Sequence, residues 1–356
     1  MALEVELDKQ KLQYTDDEGK KITVDINEDE TDKAEEEFES DHYENLAETL
    51  DSSKISRIGK QLITAYEDDK SSRKEWEDQY SKGLKMLGVI VEDRNDPFPG
   101  ASGVHHPLLA EAATQFQARA IAELFPPGGP VKTQIIGKIT DKKIEQASRV
   151  EDYMNYQLTT QIPDYFNELD QMLFYLSLSG SAFKKIYFDD TLDRVCSKFV
   201  PAEDFVIAYQ NTDLQTAERY TQVMKLSVNE IKRYQVVGFY TILEMHVDLD
   251  LEEDKNGVAL PYIVTIDYDM QVVLSIRRNW KEEDQLKRKR TYFIHYKYLP
   301  GLGFYGFGLI QMIGGLQHAS TGALRALLDS AAFANLNGGF RAKGARIEGG
   351  DLTISP

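Results

Sequence analysis

Hydrophobic side chains recur with two different periods along the chain, and the change of period divides it into blocks. Between Asp51 and Gly180 they recur every three or four residues, which is typical of amphipathic helices. Between residues 183 and 300 they alternate with polar side chains, which is typical of half-buried strands. The pattern therefore predicts an α+β protein in which a helical block precedes a strand-rich block, without the βαβ order of a parallel sheet.

Glycine, proline and capping residues set the bounds of the predicted elements. The predicted helices cover residues 51–85, 108–125, 140–160, 163–180 and 228–235, the last with a capping box at Ser227 and Glu230. The predicted strands cover residues 131–139, 183–188, 194–200, 220–226, 242–251, 261–267, 272–278 and 291–299. Residues 268–271 are predicted to form a hairpin turn. Weaker alternation predicts a second hairpin from residues 13–14 to 22–26.

The longest predicted element is a helix over Tyr305–Asn337, which contains no proline and ends at Gly338 and Gly339. At ~1.5 Å per residue it would be roughly 50 Å long. Only Arg325 and Asp329 in it carry formal charge, and they lie one turn apart on one face. A helix that is apolar nearly all round must be buried on several sides, and few residues follow to cover it. The sequence therefore predicts that other copies, or residues missing from this chain, cover the helix.

Two other interpretations of this stretch are open. Phe304–Leu324 is 21 residues without a charge, the length of a membrane span, but its glycines and polar residues such as His318 make insertion costly. Gly301, Gly303 and Gly306 form a GxGxxG pattern, which is a dinucleotide-binding signal when a βαβ unit surrounds it. No such unit follows here, so a flexible joint of glycines and aromatic residues leading into the helix is favoured over a nucleotide site.

Acidic charge is concentrated near the N-terminus. The 356-residue chain has a net charge of −18, and residues 1–50 supply −13 of it through 18 acidic and five basic side chains. Glu28–Glu39 is a block of like charge, which repels itself and stays solvated. Residues 1–54 are therefore predicted to form an acidic arm that is disordered or ordered only against partners. Such an arm repels free nucleic acid, whereas a channel that must not grip DNA is well served by acidic or neutral walls.

Side chains suited to chemistry do not form a recognisable catalytic constellation. One histidine and several carboxylates alternate along a predicted strand: Glu244, His246, Asp248, Asp250 and Glu252. This spacing could hold a metal ion, but the ordinary alternation of an amphipathic strand explains it better. The single cysteine, Cys196, excludes a disulfide framework, and the sequence has no GxxxxGK[ST] phosphate loop. The sequence thus predicts no catalytic residue, no metal and no cofactor. The basic cluster Lys287–Arg290 is interpreted as a solvated hairpin tip, with a phosphate or an acidic partner as the alternative.

Five segments, in this order, resemble the portal protein (head-to-tail connector) of tailed bacteriophages, especially the short-tailed kind. They read DPFPGASGVHHPLLAEAATQFQARAIAELFP, SGSAFKKIYFD, VPAEDFVI, the hairpin from VTID to SIRRNW, and YGFGLIQMIGGLQHASTGALRALLDSAAFAN. The resemblance covers residues 55–356. It implies a non-enzymatic ring of about a dozen subunits, a dodecamer, at one capsid vertex of the virion, made from chains synthesised in the host cytoplasm. Double-stranded DNA would enter through the channel, driven by a separate terminase, and leave through it at infection.

The same resemblance divides the chain. Residues 55–304 correspond to the outer wing, with helices over 55–180 and strands over 183–300. Residues 305–338 correspond to the first stem helix, and residues 339–356 to the start of the clip, where terminase and then head–tail adaptor proteins dock. Portal chains of this type continue with the rest of the clip, a second stem helix, a tunnel loop and a crown. This chain is therefore expected to be a front portion of such a protein or a reduced relative.

The candidate functional residues follow from this division. Those expected to line the channel or to contact neighbouring subunits are Gly315, Ala319, Ala323, Arg325 and Asp329. Those expected to contact DNA or a partner protein at the clip are Arg341, Lys343 and Arg346. The expected partners are sister subunits, DNA, terminase, capsid protein and adaptor proteins, with no membrane. Two other functions stay open: a different oligomeric virion or scaffold protein that uses the helix for assembly, and an enzyme that binds a nucleotide at GLGFYG.

Overall fold

The computed structural model describes residues 11–15, 21–25, 41–87, 94, 98, 100–190, 192–226, 240–251 and 258–335. These residues form a mixed α and β protein that ends in a long helix. The helices are α1 (Leu46–Thr49), α2 (Ser52–Ser72), α3 (Lys74–Met86), α4 (Leu108–Leu124), α5 (Asp141–Tyr156), α6 (Tyr165–Ser179) and α7 (Leu309–Asn335). The helix predicted over 228–235 lies outside the described residues.

Within the described residues, ten strands form three antiparallel sheets. The strands are β1 (Lys11–Thr15), β2 (Lys21–Asp25), β3 (Ser181–Asp189), β4 (Arg194–Pro201), β5 (Phe205–Val206), β6 (Arg219–Leu226), β7 (Tyr240–Leu249), β8 (Leu260–Asp267), β9 (Val272–Arg278) and β10 (Phe293–Lys297). The hairpin β1–β2 stands as its own sheet, the second sheet has the order β10-β3-β4, and the third has the order β5-β6-β7-β8-β9. The predicted strands after residue 183 and both predicted hairpins are confirmed, with bounds shifted by a few residues.

Three clusters of buried hydrophobic side chains hold the described helices and sheets together. The first core lies between α3, α4, the start of α7 and the β10-β3-β4 sheet, where aromatic rings dominate; Phe183, Phe205 and Phe304 are fully buried there. The second core lies between α2 and one face of the five-stranded sheet. A third, smaller core lies where α6 packs on α4 and on the β10-β3-β4 sheet. Large aromatic side chains contribute most buried area per residue, so the first core fixes how helices and sheets meet.

The packed body begins before residue 55. A short 3₁₀ turn at Asp41–Tyr43 leads to α1, whose N-cap is Asn45. The Asn45 side chain accepts a hydrogen bond from the Ile276 amide (3.0 Å) and donates one to the Leu274 carbonyl (3.3 Å), and Leu46 is buried in the second core. Residues 41–54, which the sequence assigned to the acidic arm, therefore pack on the sheet of the body.

The helix predicted over 51–85 is broken in two at Arg73. Arg73 has φ −99° and ψ 8°, outside the helical range, although neither glycine nor proline is nearby to break the helix. Its side chain is buried, and its guanidinium donates hydrogen bonds to carbonyl oxygens of the turn that follows β4. The break is thus imposed by long-range hydrogen bonds, which have no signature in the local sequence.

The strand predicted over 131–139 is not formed. Residues 131–136 are not assigned to a sheet, and their neighbour is helix α5 instead of another strand. Asn155 of α5 bonds both the amide and the carbonyl of Val131, at 2.9 and 3.1 Å, and Glu151 accepts from the Thr133 amide at 3.0 Å. Side chains of a helix here take the hydrogen bonds that a partner strand would take, which overrides the local strand preference.

The long helix begins at Leu309, four residues later than predicted, because the preceding residues belong to the core. Phe304 and Tyr305 are almost completely buried, and Gly306 lies against the backbone of Gly180, the left-handed cap of α6. The GxGxxG glycines thus serve close packing within the chain: a side chain at Gly303 would come within 2.6 Å of the Tyr209 ring. Within the described residues, no helix has the length and apolarity to cross a bilayer.

Candidate functional site

The first turns of α7 are anchored in the first core of the chain. Leu309 and Ile310 are buried, and Ile310 packs against α3 at Gly83, where a larger residue would collide with it. The amide of Gly308 donates to the Gln311 side-chain oxygen at 2.9 Å, which caps the helix start. One end of α7 is therefore fixed by the chain's own packing, contrary to the expectation that the whole helix lacks cover from its own chain.

Beyond these turns, a polar stripe on α7 binds the segment that joins α3 to α4. The stripe consists of Gln317, Thr321, Arg325 and Asp329, spaced four residues apart and so aligned on one helix face. Gln317 accepts from the Leu109 amide at 3.0 Å and donates to the carbonyls of Met86 (3.0 Å) and His106. Because Gln317 is buried, its hydrogen bonds are made away from competing water.

The second half of the stripe continues the same contact. Arg325 donates from Nε to the Val104 carbonyl at 2.8 Å, and its Nη2 lies 2.8 Å from Nε2 of His105. Asp329 accepts from the Ser102 amide at 2.8 Å. Thr321 accepts from the His106 amide at 3.1 Å. Arg325 and Asp329, expected at a channel or subunit interface, thus lie against the chain's own loop.

The opposite side of α7 has no cover within the described residues. Gly315, Ala319 and Ala323, the small residues expected at the subunit interface, are all exposed on it. Leu316 and Leu327 on the same side are 60% and 67% exposed. A Cβ added at Gly315 or Gly322 would have no atom within 4 Å. The helix therefore presents an apolar surface, the outer face of α7, in which small residues leave room for close approach of another backbone.

Neither a family model nor a curated protein matches this chain. The three basic residues expected at the clip, Arg341, Lys343 and Arg346, lie outside the described residues.

Two of the five alternating residues, Glu244 and His246, have a structural role, whereas Asp248 and Asp250 are exposed and Glu252 lies outside the described residues. Lys185 of β3 contacts both carboxylate oxygens of Glu244 at 2.6 Å, which links the two larger sheets. His246 is fully buried, with Nε2 3.1 Å from Glu244 and its ring stacked on Tyr220. Among the described residues, no three His, Cys, Asp or Glu side chains are placed to hold a metal ion.

This buried cluster has shifted pKa values. Burial would raise the pKa of Glu244, but the hydrogen bond from His246 and the charge of Lys185 outweigh it and lower the pKa to about 2. Burial lowers the pKa of His246, against the opposing pull of Glu244. The folded protein therefore holds an ionised Glu244 and a neutral His246, with Asn279 Nδ2 3.5 Å from the Nδ1 of His246.

We expect the free energy of unfolding to fall as the pH is lowered from 7. In the unfolded chain His246 becomes protonated below its ordinary pKa of about 6.5, whereas in the folded chain its lowered pKa keeps it neutral to a lower pH. Glu244 acts in the same direction: the unfolded chain protonates it near its ordinary pKa of about 4.3, whereas the folded chain keeps it ionised down to its pKa of about 2. Urea unfolding at several pH values measures this dependence.

The variant Glu244→Gln should flatten the part of this dependence below pH 4.5, because glutamine does not titrate. Glu145→Gln is the matched control, since Glu145 is 73% exposed and its removal should leave the slope unchanged. An unaltered acid slope in Glu244→Gln would exclude Glu244 as the source.

Proposed function

We propose that the protein is a structural subunit of a ring-shaped bacteriophage portal. In this proposal the ring, a dodecamer at one capsid vertex of the virion, forms the channel for double-stranded DNA during packaging and ejection. It also provides the docking surface for terminase, capsid protein and head–tail adaptor proteins. The part from α2 to β10 serves as the wing, and α7 serves as the first stem helix. The subunit has no catalytic role.

The observation that carries the proposal is the division of α7 into two faces. One face is bound to the chain by its first core and by the polar stripe, so its orientation is fixed. The outer face, over a helix roughly 40 Å long, is apolar and uncovered within the described residues. Burying Leu316 or Leu327 would contribute about 1.5–3 kcal/mol each, so a partner surface is expected there.

A ring, favoured here over a two-fold dimer by the resemblance to portal proteins, would use the outer face of α7 as one of its two contact surfaces. A closed ring uses two different surfaces of each subunit, because each contact is head-to-tail. The outer face of α7 carries small residues at Gly315, Ala319 and Ala323, which suit a neighbouring helix at short distance. The five segments that resemble portal proteins support the same assembly.

The charges of α7 fit a DNA conduit better than a DNA-binding protein. Its two formally charged residues, Arg325 and Asp329, are both engaged by the chain's own loop. No Lys or Arg of α7 is therefore available to phosphate groups. Since each such contact would add affinity and slow the passage of DNA, a neutral surface suits movement through a pore.

The test is the mass of the full chain under native conditions. Twelve copies of the 40.5 kDa chain would total about 486 kDa, and images of the particle should show a ring with an axial channel. A stable monomer or dimer at micromolar concentration would overturn the proposal. A closed assembly without an axial opening would favour the other oligomeric virion or scaffold proteins.

A further inference from the structure

The last two residues of β9 and the loop that joins β9 to β10 form a basic stretch of the described surface. Residues 277–290, called here the basic loop, contain seven basic and three acidic side chains, a net charge of +4 in a chain of net charge −18. The loop is held in shape by Asp284, which accepts from the amides of Leu286 and Arg288 and from Arg288 Nε at 2.9 Å. Its cations are therefore displayed by a fixed turn.

A groove of about 580 Å³ lies on this loop, at the place where the chain enters the packed body. It is lined by His42, Arg278, Trp280, Glu282, Asp284, Gln285 and Lys287. The His42 carbonyl accepts from Arg278 Nη1 at 3.1 Å, and His42 Nε2 lies 3.1 Å from the Trp280 carbonyl. His42 is thus fixed at the wall of the groove, three positions after the acidic segment of residues 28–39.

The cations of the groove are not all neutralised by the described residues. Asp284 is compensated by Arg288, to which it is bound. Lys287 lies over the Trp280 ring at 5.8 Å, and neither Lys281 nor Lys287 has a carboxylate within ion-pair distance among the described residues. A ligand that supplies carboxylates would complement Lys281 and Lys287.

The chain itself supplies such a ligand next to the groove. Residues 28–39 contain eight acidic side chains and one basic side chain, a net charge of −7. Glu39 precedes His42 by three positions, so at ~3.3 Å per residue the nearest carboxylates are within roughly 10–25 Å of the groove. This connection gives the segment an effective concentration on the order of millimolar, and its charge repels nucleic acid from the same surface.

We propose that the acidic segment 28–39 docks on the basic loop of its own chain, with glutamates of residues 35–39 paired to Lys287 in the groove and to Lys281 beside it. This inference does not rest on the portal proposal, because it concerns contacts within one chain. The acidic residues near the N-terminus would then have a binding site on the same chain, and the groove would be a site for an acidic peptide that this segment occupies.

Zero-length carbodiimide cross-linking of the full chain tests the proposal, since it joins only carboxylates and lysines that touch. Peptide mass spectrometry of an equal mixture of ¹⁴N- and ¹⁵N-labelled protein separates links within a chain from links between copies. We expect links of uniform label from Glu35–Glu39 to Lys281 or Lys287. Links of mixed label only, or no link to the basic loop, would overturn docking in cis.

A protease that cleaves after glutamate gives an independent measurement. In Lys281→Glu/Lys287→Glu, cleavage within residues 35–39 should become about fivefold faster than in the native chain, because exposed ion pairs of this kind have modest strength. Lys142→Glu/Lys143→Glu is the matched control, since both lysines are exposed on α5 and the charge change is the same. Equal cleavage rates in both variants and the native chain would contradict the proposal.

Discussion

Replacing Gly315 or Ala323 by leucine is expected to abolish ring assembly while leaving the single chain folded. Both residues are exposed on the outer face of α7, and a Cβ at Gly315 would meet no atom of the same chain within 4 Å. In the proposed ring these positions contact a neighbouring helix, where overpacking costs roughly 1–3 kcal/mol per interface. Because a closed ring repeats the interface about twelve times, the total penalty favours free subunits.

In the isolated chain, Gly315→Leu should raise stability instead of lowering it. Glycine in a helix interior is about 0.8–1.0 kcal/mol less favourable than alanine, so Gly315→Leu should make the isolated α7 slightly more stable. Far-UV circular dichroism and thermal unfolding of the variant report the fold, and native mass reports the assembly. Loss of rings together with loss of folding would indicate a structural defect instead of a blocked interface.

Ala118→Leu is the matched control for these variants. Ala118 is an exposed alanine in α4, so Ala118→Leu adds the same apolar volume as Ala323→Leu on a different helix. It is expected to leave both the native mass and the unfolding temperature unchanged, as most surface substitutions do. Normal rings from both Gly315→Leu and Ala323→Leu would exclude close helix packing through the outer face of α7.

The parts of the fold that could be predicted from the sequence are those specified by local pattern. Strands β7, β8 and β9 alternate strongly and were predicted within two residues at each end. Helix α6 was predicted for a similar reason, since Gly180 adopts the left-handed conformation (φ 80°) that ends a helix. Periodicity and capping chemistry act over a few residues, so a single sequence contains them.

The features that could not be predicted depend on partners distant in sequence. The polar face of β7 was interpreted as that of an ordinary amphipathic strand, but Glu244 and His246 on it are covered, and Lys185 of a second sheet pairs with Glu244. The segment 131–139 has strand composition, yet its hydrogen bonds go to side chains of α5. The alternation of hydrophobic and polar residues indicates a strand but not which element packs on each of its faces. It therefore predicts the strand better than it predicts the strand's neighbours.

The candidate site was predicted in part. Gly315, Ala319 and Ala323 lie together on the outer face of α7, whereas Arg325 and Asp329 lie on the other side. Gln317 and Thr321 were missed, although a signal was present. In an otherwise apolar helix, polar residues at 317, 321, 325 and 329 share one face, and this spacing could have indicated a stripe that binds backbone.

Replacing Arg73 is expected to cause the largest loss of stability from a single substitution. Arg73 is 1% exposed, and its guanidinium donates to the carbonyls of Ala202 (2.9 Å), Glu203 (2.6 Å) and Phe205 (2.8 Å). It also donates to the Tyr305 hydroxyl at 2.8 Å. One side chain thus joins the break between α2 and α3, the turn after β4, and the turn that begins α7.

The variant Arg73→Met should lower the free energy of unfolding by about 3–5 kcal/mol. Methionine fills much of the volume but donates no hydrogen bond, so three backbone carbonyls and the Tyr305 hydroxyl lose a buried donor. Arg73→Lys should also destabilise, since an ammonium group lacks the planar fork that reaches several acceptors at once. Urea unfolding followed by the fluorescence of Trp76, which stacks on Tyr305 at 4.3 Å, measures the change.

Glu77→Gln separates the hydrogen bonds of Arg73 from its ion pair. Glu77 lies 2.6 Å from Arg73, but its side chain is 29% exposed, so removing its charge should cost at most about 1 kcal/mol. A loss in Glu77→Gln as large as that in Arg73→Met would show that the ion pair dominates. If the carbonyl acceptors dominate, Arg73→Met and Arg73→Lys should both weaken the start of α7. Any ring contact made through its outer face would then weaken as well, because this guanidinium holds the turn from which the helix begins.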